Sequence, residues 1–219
     1  MKRIAVLHTI KDVIVPFTER LKAAADEEIV VYNTLDEALT ADVNRDGFTE
    51  RNLTRLMLIL KSMELQEPEL IICTCTTMSA GIEELRGLIS VPILAIDDAL
   101  CGKAVETGSG VAILASVSGL LAPTKAKLKK AADAAGKTAD AVVYLCEAAM
   151  TALRAGNREE HDRLVLSTVK EIKNADVVIL PQASMSHLKE QIESITGLPV
   201  LLCTDLCVES FADRVNRDR

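Results

Sequence analysis

The segment RIAVLHT (3–9) returns as GVAILAS (110–116), and the return keeps its register. Ala5 matches Ala112 and Leu7 matches Leu114, an offset of 112 − 5 = 107. At the same offset Pro16 meets Pro123 and LKAAAD (21–26) meets LKKAAD (128–133). TMS (77–79) meets SMS (184–186), Pro92 meets Pro199, Leu94 meets Leu201 and Asp98 meets Asp205. VVY (30–32) and VVY (142–144) are slipped by a few residues, as a change in loop length would produce. A constant offset over about a hundred residues marks a duplicated supersecondary unit, and the fold has to accommodate two copies of it.

Periodicity predicts what each copy contains. Short β-branched apolar runs at 3–8, 29–33, 69–74, 92–96, 110–115, 141–145, 176–181 and 199–203 read as strands buried on both faces. Helical patterns are expected at 12–26, 49–65, 78–87, 98–107, 120–135, 146–154, 157–173, 185–195 and 205–216. Pro16 and Pro123 fall in the first turns of matching helices. NRDGF (44–48) reads as a solvent-facing loop. Strands alternating with helices give parallel sheets. The predicted fold is α/β, with two pseudo-symmetric lobes, each a mostly parallel four-stranded sheet flanked by helices. The expected division is 1–97 plus a C-terminal helix 205–219 for the first lobe, and 98–204 for the second. No Gly/Ser- or Pro-rich linker separates them.

Composition narrows the partners. Apolar residues make up 49% of the 219, but aromatics only 2%, with no Trp. The core is therefore aliphatic, and base-stacking surfaces for single-stranded nucleic acid are not expected. Net charge is −7 and the longest basic cluster is KAKLKK (125–130), so no phosphate-backbone footprint is present. The N-terminal MKRIAVLHTIKD lacks a signal-peptide pattern and no run has the length of a membrane span. A cytoplasmic chain is expected, with its six Cys residues as reduced thiols.

The chemistry is concentrated in IICTCTTMSAG (71–81), where a strand gives way to a helix. Ligands of open α/β sheets bind beyond the carboxyl ends of the strands. Cys75 sits at such an end, and position 182 sits at the matching end of the second copy, since 75 + 107 = 182. Facing lobes would turn both ends into one cleft. Free N–H groups at a helix start favour a carboxylate, and the Thr76 and Thr77 hydroxyls add donors. The same setting favours a thiolate, making Cys75 a candidate base or nucleophile. The bland alternative is a small buried thiol in a polar turn. Cys73 belongs inside the strand. Thr76, Thr77 and Ser184 are equally explained as helix caps.

The duplicated layout, with Cys75-Thr76-Thr77 after one late strand and a small-polar motif after its repeat, resembles the aspartate/glutamate racemase superfamily. AIDDALCGKAVETGSGVAILAS (95–116) and ADVVILPQASM (175–185) are similar to family segments. That group includes cofactor-independent glutamate, aspartate and hydantoin racemases, maleate isomerases and arylmalonate decarboxylases. The resemblance implies no cofactor, a small carboxylate substrate such as an amino or dicarboxylic acid, and a homodimer. It implies Cys75 as catalytic thiol. It also implies substrate contacts from residues that follow the early strands: His8, Thr9, Asn33 and Thr34 in the first lobe, Ser116 and Ser118 in the second. Gln182, Ala183 and Ser184 would close the other side.

One departure matters. Family members often carry a Gly-Cys-Thr or Gly-Cys-Ala motif in the second lobe; here the place reads Pro181-Gln182-Ala183. A Gln amide donates and accepts hydrogen bonds but does not titrate, so it cannot be the second base of a two-base racemase. Expected functions are a cofactor-independent isomerase or racemase-like enzyme, a single-thiol lyase, or a non-catalytic small-acid sensor that keeps the cleft. His8 is weighed as a satisfied structural residue, His161 and His187 as non-catalytic, and Asp97-Asp98 as helix capping. A zinc site from Cys73/Cys75 or Cys203/Cys207 is not expected: Cys-x-Cys within a strand is poor tetrahedral geometry, and Cys203 matches the apolar Ile96. No dinucleotide or phosphate-loop fingerprint follows a strand.

Overall fold

The computed structural model describes residues 1–216. Eight strands and ten α-helices alternate: β1 (Lys2–His8), α1 (Ile14–Ala24), β2 (Ile29–Leu35), α2 (Glu37–Asp46), α3 (Glu50–Glu64), β3 (Leu70–Cys73), α4 (Ser79–Leu85), β4 (Ile93–Ala95), α5 (Asp98–Thr107). The second copy runs β5 (Gly110–Ala115), α6 (Leu121–Ala135), β6 (Asp140–Leu145), α7 (Glu147–Arg154), α8 (Arg158–Val169), β7 (Val177–Leu180), α9 (Lys189–Thr196), β8 (Val200–Leu202), α10 (Cys203–Val215).

Two four-stranded parallel sheets result, in the orders β2-β1-β3-β4 and β6-β5-β7-β8. Each compact unit holds one of them: Met1–Ile96 with the chain from Cys207 onward, and Asp97–Leu206. The chain passes from the second unit back to the first within α10. Its end is tied down there by Lys2 Nζ on the Val215 carbonyl and by Asn216 on Asp26 and Ala24. Residues 217–219, the tail of the expected 205–219 helix, lie outside the described residues. No helix among the described residues is long and apolar enough to cross a membrane.

The duplication is visible bond by bond. Ile71 N–H donates to Pro92 O at 2.9 Å, and Val178 N–H donates to Pro199 O at 3.0 Å. The VVY pairing is corrected by the register: Tyr32 faces Ala5 whereas Val142 faces Ala112, so β2 and β6 correspond at 142 − 32 = 110. Central strands β3 and β7 are buried throughout, so their side chains must be apolar on both faces. Each sheet packs a core against its helices: Leu39, Leu56, Leu60, Ile71 and Ile82 in the first unit, Ala149, Val165, Leu180, Met185 and Ile192 in the second.

One element departs from expectation. Residues 37–46 form α2, capped by Asp36, whose Oδ1 accepts the Leu39 N–H at 2.9 Å. Leu39 and Val43 are buried, and Gly47 ends the helix at φ 74°. NRDGF faces solvent over 44–47, as expected, but it is not all loop. Its first three residues are helical, and Phe48 packs onto the first core. Gly81 of α4 allows that approach: a Cβ there would lie 2.4 Å from Phe48 Cε1. With only Leu39 and Val43 as inward apolar positions, the amphipathic signal was too short to stand out.

Candidate active site

At the carboxyl end of the first sheet β1, β2 and β3 lie side by side and bring His8, Asn33 and Thr74 together. His8 Nε2 lies 2.9 Å from Asn33 Oδ1, and Nδ1 lies 3.0 Å from Thr74 Oγ1. Burial holds the His8 imidazole below its ordinary value, against the opposing pull of the Asn33 hydrogen bond, so the ring is neutral at pH 7. With a carbonyl oxygen facing Nε2, that nitrogen carries the proton; the Thr74 hydroxyl, with one proton to give, lies against both His8 Nδ1 and the Leu7 carbonyl, the latter at 3.2 Å. The Thr18 hydroxyl adds a second donor to Asn33 Oδ1, and Phe17 meets the His8 ring edge-on. His8 is fully buried, and both its nitrogens are engaged by the protein.

Cys75 follows in extended backbone, φ −123° and ψ 113°. The chain then makes a 3-10 turn, Thr76–Met78, before the seven-residue α4. The helix start expected at this motif is therefore a 3-10 turn leading into one short helix, and polarity here comes mainly from hydroxyls. Thr76 is buried, Thr77 half-buried. Cys75 is buried, 9% exposed as a residue, and its Sγ lies 3.8 Å from Thr40 Oγ1 on α2. Cys73, two residues earlier, is sealed inside β3, with its sulfur toward the Cys75 carbonyl at 3.9 Å. Thr9 is buried just past β1, and Thr34 is half-buried on β2.

The second lobe repeats the backbone with different chemistry. Gln182 has φ −121° and ψ 133° and also enters a 3-10 turn, Ala183–Leu188. Its Oε1 accepts the Ser116 N–H at 2.7 Å and lies 3.3 Å from Ser116 Oγ, so it ties β5 to β7 and leaves the NH₂ as donor. Ser184 Oγ is buried without a hydrogen-bond partner in the structure. Ser118 is exposed on the turn after β5. Pro181 stands where Thr74 does and Ala115 where His8 does, each at the offset of 107, so the His8 network has no counterpart.

Asp97 corrects another expectation. It occupies the cap position of α5, but its carboxylate makes no capping bond. Its Oδ1 pairs with Lys127 Nζ at 2.6 Å, and Asp98 joins at 2.8 Å. Burial alone would lower the Lys127 ammonium, but the two carboxylates outweigh it and hold it above its ordinary value. Burial, reinforced by Asp97, pushes the nearby Cys101 thiol up to about 12, which keeps it protonated and unreactive.

His161 and His187 share one carboxylate. His161 Nδ1 lies 2.6 Å from Asp162 Oδ1, His187 Nε2 lies 2.9 Å from Oδ2, and the rings stack at 6.4 Å. Among the described residues no group of His, Cys, Asp or Glu is arranged to hold a metal ion. Burial pushes the Asp162 carboxyl up, but the two imidazole bonds outweigh it and hold it below the usual range. A depressed carboxyl stabilises the fold above its unfolded value and loses that stabilisation as pH falls through the folded one. Asp162→Asn should therefore cost about 1–3 kcal/mol near neutral pH, a difference that closes in thermal melts taken at progressively lower pH. A parallel melt at all pH values would show that the carboxylate contributes nothing.

A surface groove of about 450 Å³ is lined by Lys125, Lys129, Lys137 and Asp140. Asp140 begins β6, which puts the groove at the amino end of that strand, away from the chemistry around Gln182.

The sequence carries no signal for Thr40 beside Cys75, because the helix bearing it has only two inward apolar positions. Thr74 as a partner of His8, and Lys127 as a partner of Asp97, are likewise contacts between distant positions.

Solved structures share this fold at low identity. Glutamate racemase from Aquifex pyrophilus superposes with a TM-score of 0.69 at 16% identity, over 97% of this chain and 83% of that one. Picrophilus torridus aspartate racemase gives 0.69 at 13%, over 99% and 95%. Allantoin racemase from Pseudomonas fluorescens gives 0.62 at 18%, over 99% and 91%. No curated protein matches by sequence. The profile of the Asp/Glu/hydantoin racemases matches residues 9–211, nearly the whole chain. With a profile match of that extent and a duplicated parallel fold, this chain belongs to the Asp/Glu/hydantoin racemase family.

Proposed function

We propose that the protein is a cofactor-independent isomerase or single-thiol lyase acting on a small carboxylate, with Cys75 as the group that exchanges a proton with the substrate carbon. The observation behind this reading is the position of Cys75. It is a thiol at the carboxyl end of a central strand, slightly exposed, within reach of a hydroxyl and followed by two threonines. In a parallel α/β sheet that edge is where ligands are held. The Thr76 and Thr77 hydroxyls and the Asn33 amide are the proposed donors for the substrate carboxylate.

As thiolate, Cys75 takes the α-proton, and the electron pair moves into the adjacent carboxyl group, forming an enediolate. As thiol, it returns a proton to the same carbon. Gln182 at the corresponding position of the second lobe has no titratable group, so the chemistry has one base. This favours exchange or decarboxylation with protonation from one face over rapid two-base racemisation. His8, neutral and bonded at both nitrogens, is assigned to holding Asn33 and Thr74 in place.

The test is incorporation of deuterium at the α-carbon over a panel of amino acids, dicarboxylic acids and α-substituted malonates in heavy water, with release of carbon dioxide measured for the malonates. Solvent deuterium in one acid class, or decarboxylation of a malonate, is the expected result. Saturable binding of an acid with neither exchange nor decarboxylation would replace this reading with that of a small-acid sensor.

A further inference from the structure

We infer that Thr40 is a positioning residue for the Cys75 sulfur and that Arg55 holds it there. The catalytic consequence rests on the reading of Cys75 above; the effect on the thiol itself does not.

Thr40 lies on the first turn of α2, half-buried, with Oγ1 3.8 Å from Cys75 Sγ. A helix of ten mostly polar residues has little core packing to fix its rotation. Two apolar anchors, Leu39 and Val43, do part of this. Arg55 on α3 does the rest. Its Nε and Nη2 grip both oxygens of Asp36 at 2.9 and 2.7 Å, and its Nη1 reaches Asp42 Oδ2 at 3.2 Å. A two-pronged guanidinium–carboxylate pair fixes orientation as well as distance. Asp36 also caps α2, so one carboxylate sets where the helix begins and how it is turned. Thr40 follows four residues later, on the same face.

The second lobe supplies an internal control. Its α7 corresponds to α2 at 146 − 36 = 110: Leu39 matches Ala149, both fully buried, and Thr40 matches Met150. Asp36 matches Cys146, which makes no side-chain cap. Asn157 caps α8 as Thr49 caps α3, an offset of 108, so Arg55 matches Arg163. Arg163 turns instead to Glu160 on its own helix, at 2.7 Å. Where the strand end bears an amide instead of a thiol, the hydroxyl, the carboxylate cap and the arginine clamp are all absent. The fold does not need them, because α7 forms without them. They occur together with the sulfur.

One hydroxyl serves both states of the thiol. It donates to the sulfur when Cys75 is a thiolate, and accepts the S–H when Cys75 holds its proton. It thereby stabilises the anion and fixes the direction of Sγ without itself titrating.

Alkylation by iodoacetamide, followed by mass spectrometry in the full chain, reads this without any substrate. A Cys146→Ser background removes the half-buried thiol, Cys146, and a Cys75→Ser control assigns the signal. Thr40→Val keeps the branched shape and loses the hydroxyl; Thr40→Ser keeps the hydroxyl. The pH–rate profile of Thr40→Val should move to higher pH, with the neutral-pH rate falling about tenfold, while Thr40→Ser follows the native chain. Arg55→Gln should shift the profile the same way by less, with circular dichroism confirming the fold. Coincident profiles for native and Thr40→Val, including no reaction in either, would overturn the assignment. Should alkylation depend on Thr40 while no acid exchanges a proton, the assigned function fails and this contact stands. Proton exchange in a chain whose thiol ignores Thr40 would keep the assigned function and discard the role given to Thr40.

Discussion

Cys75→Ser is expected to lose α-proton exchange by about a hundredfold or more, with the thermal midpoint close to that of the native chain. The size follows from what replaces the thiol. A serine hydroxyl is far less acidic than a thiol and presents almost no anion at neutral pH, so the proton-transfer step loses its base. No neighbour can take over. Cys73 is sealed in the strand, and His8 is neutral with both nitrogens committed. Folding should survive because the exchange is nearly isosteric and a hydroxyl can still meet Thr40 Oγ1. Each factor of ten corresponds to about 1.4 kcal/mol of barrier, so a hundredfold loss is well outside what a small shift of the substrate would produce. Mass-spectrometric deuterium incorporation, alongside a circular dichroism melt, is the measurement. Native-like exchange in the variant would remove Cys75 from the chemistry.

Lys127→Met should destabilise the second lobe by about 3–5 kcal/mol, the largest effect on stability expected from a single change. Lys127 is 16% exposed and sits between Asp97, with no exposure, and Asp98, at 2.6 and 2.8 Å. Met preserves most of the apolar stem, so the loss is electrostatic: two carboxylates, one fully buried, lose the ammonium that pairs with both. The companion Lys127→Met/Asp97→Asn/Asp98→Asn should recover much of the loss, because the variant removes the two negative charges together with the positive one. Urea unfolding curves test both, and a single variant within about 1 kcal/mol of native would mean that water reaches these carboxylates freely.

Several features were readable from residue order alone because they are properties of short segments repeated along the chain. The offset of 107, the doubly apolar strands and the paired prolines predicted two parallel sheets with one topology, and the positions of Cys75 and Gln182 followed from the same count. Where the pattern was weak the reading failed. Two inward residues did not mark α2, and the repeated VVY suggested a register that the hydrogen-bond ladder does not use.

Tertiary structure alone decided which polar groups meet. Asp97 was expected to cap a helix, a local role, and instead pairs with Lys127 thirty residues on. His8 is held by Asn33 and Thr74, and Cys75 meets Thr40, across separations that local spacing cannot report. Periodicity measures how a segment divides its apolar and polar faces. It says nothing about which polar side chains from separate segments arrive within 3 or 4 Å of one another, and that proximity sets the protonation and orientation of each group.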